Sequence, residues 1–169
     1  MAATANCGVR TTEHANSDSS EIERGRAAQV GRVVLMSIHP EYAQAILDGT
    51  KRVEFRKHPV ADDVTHVLVY ATAPVSAVVG AFTVTGQDTE HPRSLWRRFK
   101  KVAGISRDGF FAYYEGRASG TGIRIGERLA PEAPLSLPDA FGVPRPPQSF
   151  QYLARDRVET VLGDMSPLP

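Results

Sequence analysis

Three charged residues close together carry the most chemistry in this chain: Lys51, Glu54 and Arg56, within Gly49-Thr-Lys-Arg-Val-Glu-Phe-Arg-Lys57. A planar guanidinium such as Arg56 can hold a phosphate or a base edge through its fork of donors. Lys51 is a compact cation, or a base if burial strips its water. Glu54 can orient either cation or accept from a base amino group. The same residues also fit a plainer reading, an exposed strand face laced with surface ion pairs that contribute about 0–1 kcal/mol each. Alternation sets a condition on the first reading. Val53 and Phe55 alternate with Arg52, Glu54 and Arg56, which puts Lys51 on the Val53 side of a regular strand. The three charges converge only if Lys51 still lies in the turn after Gly49.

A second cationic cluster comprises Arg93, Arg97, Arg98, Lys100, Lys101 and Arg107, with no acidic residue from Arg93 to Arg107. On a helix Arg97, Arg98 and Lys101 share a face, with Arg93 nearby. Such a face is either a salt-sensitive contact for a phosphate backbone or an ordinary solvated surface opposite Trp96 and Phe99. Trp96 is read as core in preference to a stacking platform. The rings of Phe110, Phe111, Tyr113 and Tyr114 divide between core and cleft, where one or two could stack on bases. His39, at the end of an apolar run, is a cleft candidate or a structural histidine. No histidines form a metal-binding pair, and the lone Cys7 excludes both a disulfide framework and an all-cysteine zinc site. No cofactor or metal is expected.

The elements that must position these groups follow from periodicity. Val33 to Ile38 is an apolar strand. Pro40 suits the first turn of a helix over about 40–48, where its missing N–H costs nothing, and Gly49 is its stop. Arg52–Lys57, His66–Thr72, Ala77–Thr85 and Thr121–Leu129 read as strands, with Pro74-Val75-Ser76 as a turn. Leu95, Trp96, Phe99, Val102 and Ala103 mark an amphipathic helix over 92–103, closed by Gly104. Ser106 can cap a further helix through Tyr114. The proline-rich stretch 131–147 cannot be a central strand and is expected as ordered loop with Leu135 and Leu137 turned inward. A short strand at 149–153 follows, and the chain from Val158 is expected to fray.

The chain has 169 residues, of which 41% are hydrophobic and 23% charged, values that suit one globular domain with tails. Residues 1–31 hold few large apolar residues and no aromatic, so they are expected as a disordered tail. The folded domain is expected over 32–155 and a C-terminal tail over 156–169. A net charge of +1 provides no bulk attraction to nucleic acid, so any such attraction must be local. No apolar run reaches the roughly 18 residues of a membrane span, and no secretory signal is evident; a cytoplasmic protein without a membrane partner is the expectation.

The motif Ile38-His-Pro-Glu-Tyr-Ala43 followed by Gly49 to Lys57 resembles the signature of the ASCH family, small domains with a PUA-like barrel. Similar landmarks are Tyr70-Ala-Thr72, Val79-Gly-Ala-Phe82, Phe110 to Tyr114 and Pro146 to Leu153, so the resemblance covers about residues 33–153. It implies an α+β fold, a PUA-like β-barrel (pseudobarrel) with short flanking helices. It also implies a cleft beside the first helix that takes RNA, a nucleoside or a nucleotide, with His39, Lys51, Glu54, Arg56 and Tyr70 as the ligand-binding set. Three functions are compatible with it. The first is a nucleic-acid-binding module, for RNA before other nucleic acids, with Arg93, Arg97, Arg98 and Lys101 on the backbone. The second is a hydrolase on RNA or modified nucleosides. The third is a regulatory domain that senses a small nucleotide. Small members that hydrolyse N4-acetylcytidine use the motif lysine, a threonine three residues on and a downstream glutamate. Lys51 fits the lysine, Glu54 stands in place of the threonine, and Glu90 is the candidate for the third group. Another member is a metal-dependent ribonuclease using a lysine, a tyrosine and a serine; Lys51 and Tyr70 fit two of these. The departure at Glu54 favours the binding module over the amidohydrolase.

Overall fold

The computed structural model describes residues 31–169. The expected N-terminal tail thus lies outside the described residues, apart from Gly31.

The first strand, β1 (Arg32–Ile38), is apolar because both its faces are covered. Val33 and Leu35 join one core with Leu68, while Val34, Met36 and Ile38 join another with Ile46, Val67 and Phe82. Helix α1 (Pro40–Leu47) follows at once, with Pro40 in its first turn and Ala43 and Ile46 buried. Gly49 ends it at φ +78°, in the left-handed region where a Cβ is unfavourable. The chain then turns into β2 (Val53–Arg56), all four residues of which are buried.

Strands β3 (Val64–Ala71), β4 (Ala77–Glu90), β5 (Gly120–Ala130), β6 (Phe150–Leu153) and the two-residue β7 (Ser166–Pro167) complete one mixed sheet. Its order is β2-β5-β4-β3-β1-β6, with β7 on β5, and the path does not close on itself. β1 runs parallel to β3, and the other pairings are antiparallel. The fold is α+β as expected, although the sheet remains open. Pairing with β5 from Ala81↔Leu129 to Glu90↔Gly120 carries β4 five residues beyond the expected Thr85.

Helices α2 (Pro92–Phe99) and α3 (Arg107–Tyr113) cover β2 and form a third core from Val53, Phe55, Leu95, Phe99, Phe110 and Tyr114. The Phe55 and Phe110 rings meet edge to face with centroids 4.8 Å apart, a geometry that contributes beyond the area buried. Ser106 caps α3 as expected, accepting from the Gly109 N–H at 3.1 Å. Helix α2 stops at Phe99 rather than Ala103, because Val102 N–H turns back to the Phe99 carbonyl and Gly104 follows at φ +58°.

Two stretches are more ordered than expected. Within 131–147, α4 (Leu137–Phe141) forms with Pro138 in its first turn, and Leu135 exchanges backbone hydrogen bonds with Val78. The C-terminal segment, expected to fray, contains a helix. Helix α5 (Arg155–Gly163) places Val158 and Leu162 in the core beneath β1, with Met165 just beyond it. Regular elements thus continue past 155 to β7, and an apolar stripe at helical spacing packs α5 on the core.

Candidate functional site

Lys51 lies in the turn after α1 and not in the strand. Its N–H donates to the Ala45 carbonyl at 2.9 Å, one residue pair short of where β2 begins. That placement meets the condition set by alternation, so its ammonium faces Glu54 and Arg56. The ammonium donates to the Ala103 carbonyl at 2.7 Å and lies 3.7 Å from Glu54 Oε2. Gly104 makes the approach possible: a Cβ there would sit 2.5 Å from the Lys51 Cβ. Arg56 Nη2 bonds Glu54 Oε1 at 2.9 Å and the Ser37 carbonyl at 2.9 Å. Arg56 Nε is buried and has no hydrogen-bond partner among the described residues.

Lys51, Glu54 and Arg56 are only 2%, 6% and 8% exposed, which removes the reading of a solvated face with surface ion pairs. They line one concave pocket of about 140 Å³. His39 and Tyr42, at the start of α1, form one wall; Tyr113 of α3 and Ile105 form another. The Lys51 ammonium lies 5.0 Å from the Phe55 ring centre and 5.5 Å from that of Tyr42, within range of cation–π attraction.

Burial dominates the titration of this site. It lowers the Lys51 pKa below the usual lysine value, against the attraction of Glu54. The ammonium sits 3.7 Å from that carboxylate, too far for a short charged hydrogen bond, so desolvation prevails. Burial raises the Tyr113 phenol, opposed by the positive charge of Arg56. It likewise raises Tyr42, with Glu41 adding to the shift. Lys51 is thus a group that can give up its proton more readily than a surface lysine.

The expected residues divide clearly. His39, Lys51, Glu54 and Arg56 come together in the pocket, whereas Tyr70 and Glu90 do not line it. Tyr70 is buried in the core with Val33, Leu35 and Leu68, because its position on β3 faces the other side of the sheet. Glu90 ends β4 and pairs with Arg98 at 2.6 Å. The lysine–glutamate arrangement suggested by Lys51 and Glu90 is therefore not assembled. Arg98 is also held by Asp88 at 2.7 Å, while Arg93, Arg97 and Lys101 are exposed and form no ion pair among the described residues. Ser37, Tyr42 and Ile105 were not singled out as site residues. Ser37 had a signal, as the one polar side chain inside the apolar run Val33–Ile38.

Among the described residues, no group of three or more His, Cys, Asp and Glu could hold a metal ion. No helix among them is long and apolar enough to cross a membrane.

Comparison with known proteins bears directly on this geometry. The family model described as the ASCH domain matches residues 36–127, which contain β1 from Met36, α1 and all of the pocket charges. An ASCH domain-containing ribonuclease from Zymomonas mobilis is 28% identical over 133 residues, covering 76% of this chain and 89% of that protein. The large ribosomal subunit protein uL22 of Ureaplasma parvum is 31% identical over 121 residues, and the chain spans only 39% of its length. The crystal structure of ASCH from Zymomonas mobilis superposes with a TM-score of 0.69 at 26% identity, covering 81% of this chain and 98% of that one. A mutant of the same protein gives a TM-score of 0.70. Matching more than half of the sequence to the family and nearly all of the neighbour's fold, the chain belongs to the ASCH domain family, with its PUA-like fold.

Proposed function

We propose that this chain is an RNA-binding module whose pocket beside α1 takes one unstacked nucleotide. The observation that carries the reading is a charge imbalance: two buried cations, Lys51 and Arg56, face a single buried carboxylate, Glu54. An uncompensated buried charge is costly, and an unpaired buried donor such as Arg56 Nε calls for an explanation. An anionic ligand with acceptor edges would complete both. The pocket, at about 140 Å³, is smaller than the roughly 300–1,000 Å³ typical of drug-sized ligands. It suits a single ring system in preference to an extended molecule. Tyr42 and Tyr113 offer faces for stacking, Arg56 a planar donor fork and Glu54 an acceptor for a base amino group. The likeness to a protein named as a ribonuclease supports RNA over other ligands.

A second reading, RNA cleavage, is favoured by one observation, the burial of Lys51 to 2% exposure, which lowers its pKa. A neutral Lys51 amine can take the proton of a ribose 2′-hydroxyl as its oxygen bonds the adjacent phosphorus; the bond from phosphorus to the 5′-oxygen breaks, leaving a 2′,3′-cyclic phosphate and a 5′-hydroxyl protonated by the Lys51 ammonium, with Arg56 stabilising the charge that develops on the phosphate.

Filter binding at several salt concentrations tests both, using single-stranded RNA, duplex RNA and DNA, with products analysed on the same samples. Single-stranded RNA is expected to bind best, and Arg56→Ala to weaken it by roughly 1–3 kcal/mol. Shortened RNA that disappears with Lys51→Ala would establish cleavage. Absence of binding below about 0.1 mM at low salt, the weak end of ordinary non-specific affinity, would refute both.

A further inference from the structure

A groove between α2 and α3 combines aromatic rings with exposed cations, on the other side of α3 from the pocket. Arg93, Trp96, Arg107 and Phe111 line it. The two arginines are exposed, and the two rings are half-buried. Trp96 and Phe111 lie with ring centres 6.0 Å apart. Arg107 stands 5.2 Å over the Phe111 ring, with a long 3.7 Å contact to the fully solvated Asp108 as its only ion pair among the described residues. Trp96 was expected as core, yet it sits at the edge of the core formed by Leu95, Phe99 and Phe110.

We propose that this groove is a second nucleotide subsite, in which a base of single-stranded RNA stacks on Trp96 and Phe111 while Arg93 and Arg107 hold the flanking phosphates. The inference rests on the RNA reading of the pocket and extends it. Charge complementarity selects the occupant. The segment from Arg93 to Arg107 holds six cations and no carboxylate, and Arg98, held closely by Asp88 and Glu90, is outside the groove. Rings interleaved with exposed arginines suit an unstacked strand, since every base has a π-face and every linkage a phosphate. A protein partner would meet a patch too cationic for an apolar contact. Helix α3 joins the two sites: Tyr113 and Ile105 belong to the pocket, Arg107 and Phe111 to the groove. A helix with its side chains is roughly 10–12 Å across, so a strand of a few nucleotides can cross α3 and occupy both.

Trp96 is the single tryptophan of the chain, so its emission reports the groove alone. The full chain is titrated with a short single-stranded adenine oligoribonucleotide while fluorescence and filter binding are read on the same samples. Stacking is expected to quench Trp96. Phe111→Leu, which keeps bulk and removes the ring, is expected to weaken binding roughly 5- to 150-fold, the equivalent of one lost base stack. The exposed pair Arg93→Ala with Arg107→Ala is expected to abolish the quench and to reduce the salt slope by about 1.4, or two single-strand phosphate contacts. Circular dichroism checks that each variant is folded. Binding without quenching, or quenching that survives the double arginine variant, overturns the groove and leaves the pocket reading intact. An RNA that does not bind at all overturns both.

Discussion

At the scale of single residues, the pocket is held together by one carboxylate serving two buried cations. Glu54→Gln keeps the shape and removes the charge, leaving Lys51 and Arg56 facing each other without an anion. The expected cost is about 3–5 kcal/mol of folding stability, the usual result of breaking a buried ionic group on one side. Urea unfolding measures it, and a loss below 1 kcal/mol would mean that the pair is solvated, in effect a surface bridge. Lys51 makes a separate prediction about pH. Its folded pKa lies below the unfolded value of about 10.4. Between the two values the unfolded chain holds a proton that the folded chain has released, so stability rises with pH across that window. The stability of the native protein relative to Lys51→Met is therefore expected to increase as pH rises from the lowered folded value toward about 10.4. A difference that stays flat would show that Lys51 is not desolvated. The sequence made Lys51, Glu54 and Arg56 legible because charge at strand spacing is unusual, and it supplied the geometric condition that the turn satisfies. Tyr70 and Glu90 could not be placed, since which face of β3 turns to α1 and where β4 ends depend on pairings with distant strands.

At the scale of elements, the turn after α2 positions the pocket as much as β2 does. Gly104 sits at φ +58° against the Lys51 side chain. Gly104→Ala is expected to cost roughly 1–3 kcal/mol through backbone strain and to displace Lys51. Thermal unfolding and RNA binding should therefore fall together; a variant with native stability and unchanged binding would contradict this role. Helix α5 makes the other test. Leu162 is buried in the core below β1, and Leu162→Ala is expected to lose about 2–5 kcal/mol while the pocket, on the opposite face, keeps its affinity. The stripe Val158, Val161, Leu162 and Met165 was visible at helical spacing in the sequence. That spacing alone does not specify a helix, because a short terminal helix has little stability of its own and depends on the core it covers. The capped α3 and the proline-initiated α1 were legible for the opposite reason, as their start and stop signals are local.

At the scale of the molecule, a near-neutral chain sets cations beside aromatic rings at two sites, one lined by Lys51 and Arg56 and the other by Arg93 and Arg107. A net charge of +1 excludes attraction by bulk field, so affinity must come from the pocket and its surroundings. The open sheet carries this arrangement because β2, at its edge, has one side covered by α2 and α3 and brings its charges to the end of β1. The family was legible from a short motif, whereas the openness of the sheet, which depends on long-range pairing, was not. The most direct test of the central claim is a crystal structure of the full chain soaked with a mononucleotide and with a short single-stranded RNA. A nucleotide is expected in the pocket, stacked against Tyr42 or Tyr113, with a phosphate or base edge on Arg56 and Lys51. A nucleotide bound elsewhere, with the pocket closed around its own three charges, would contradict it.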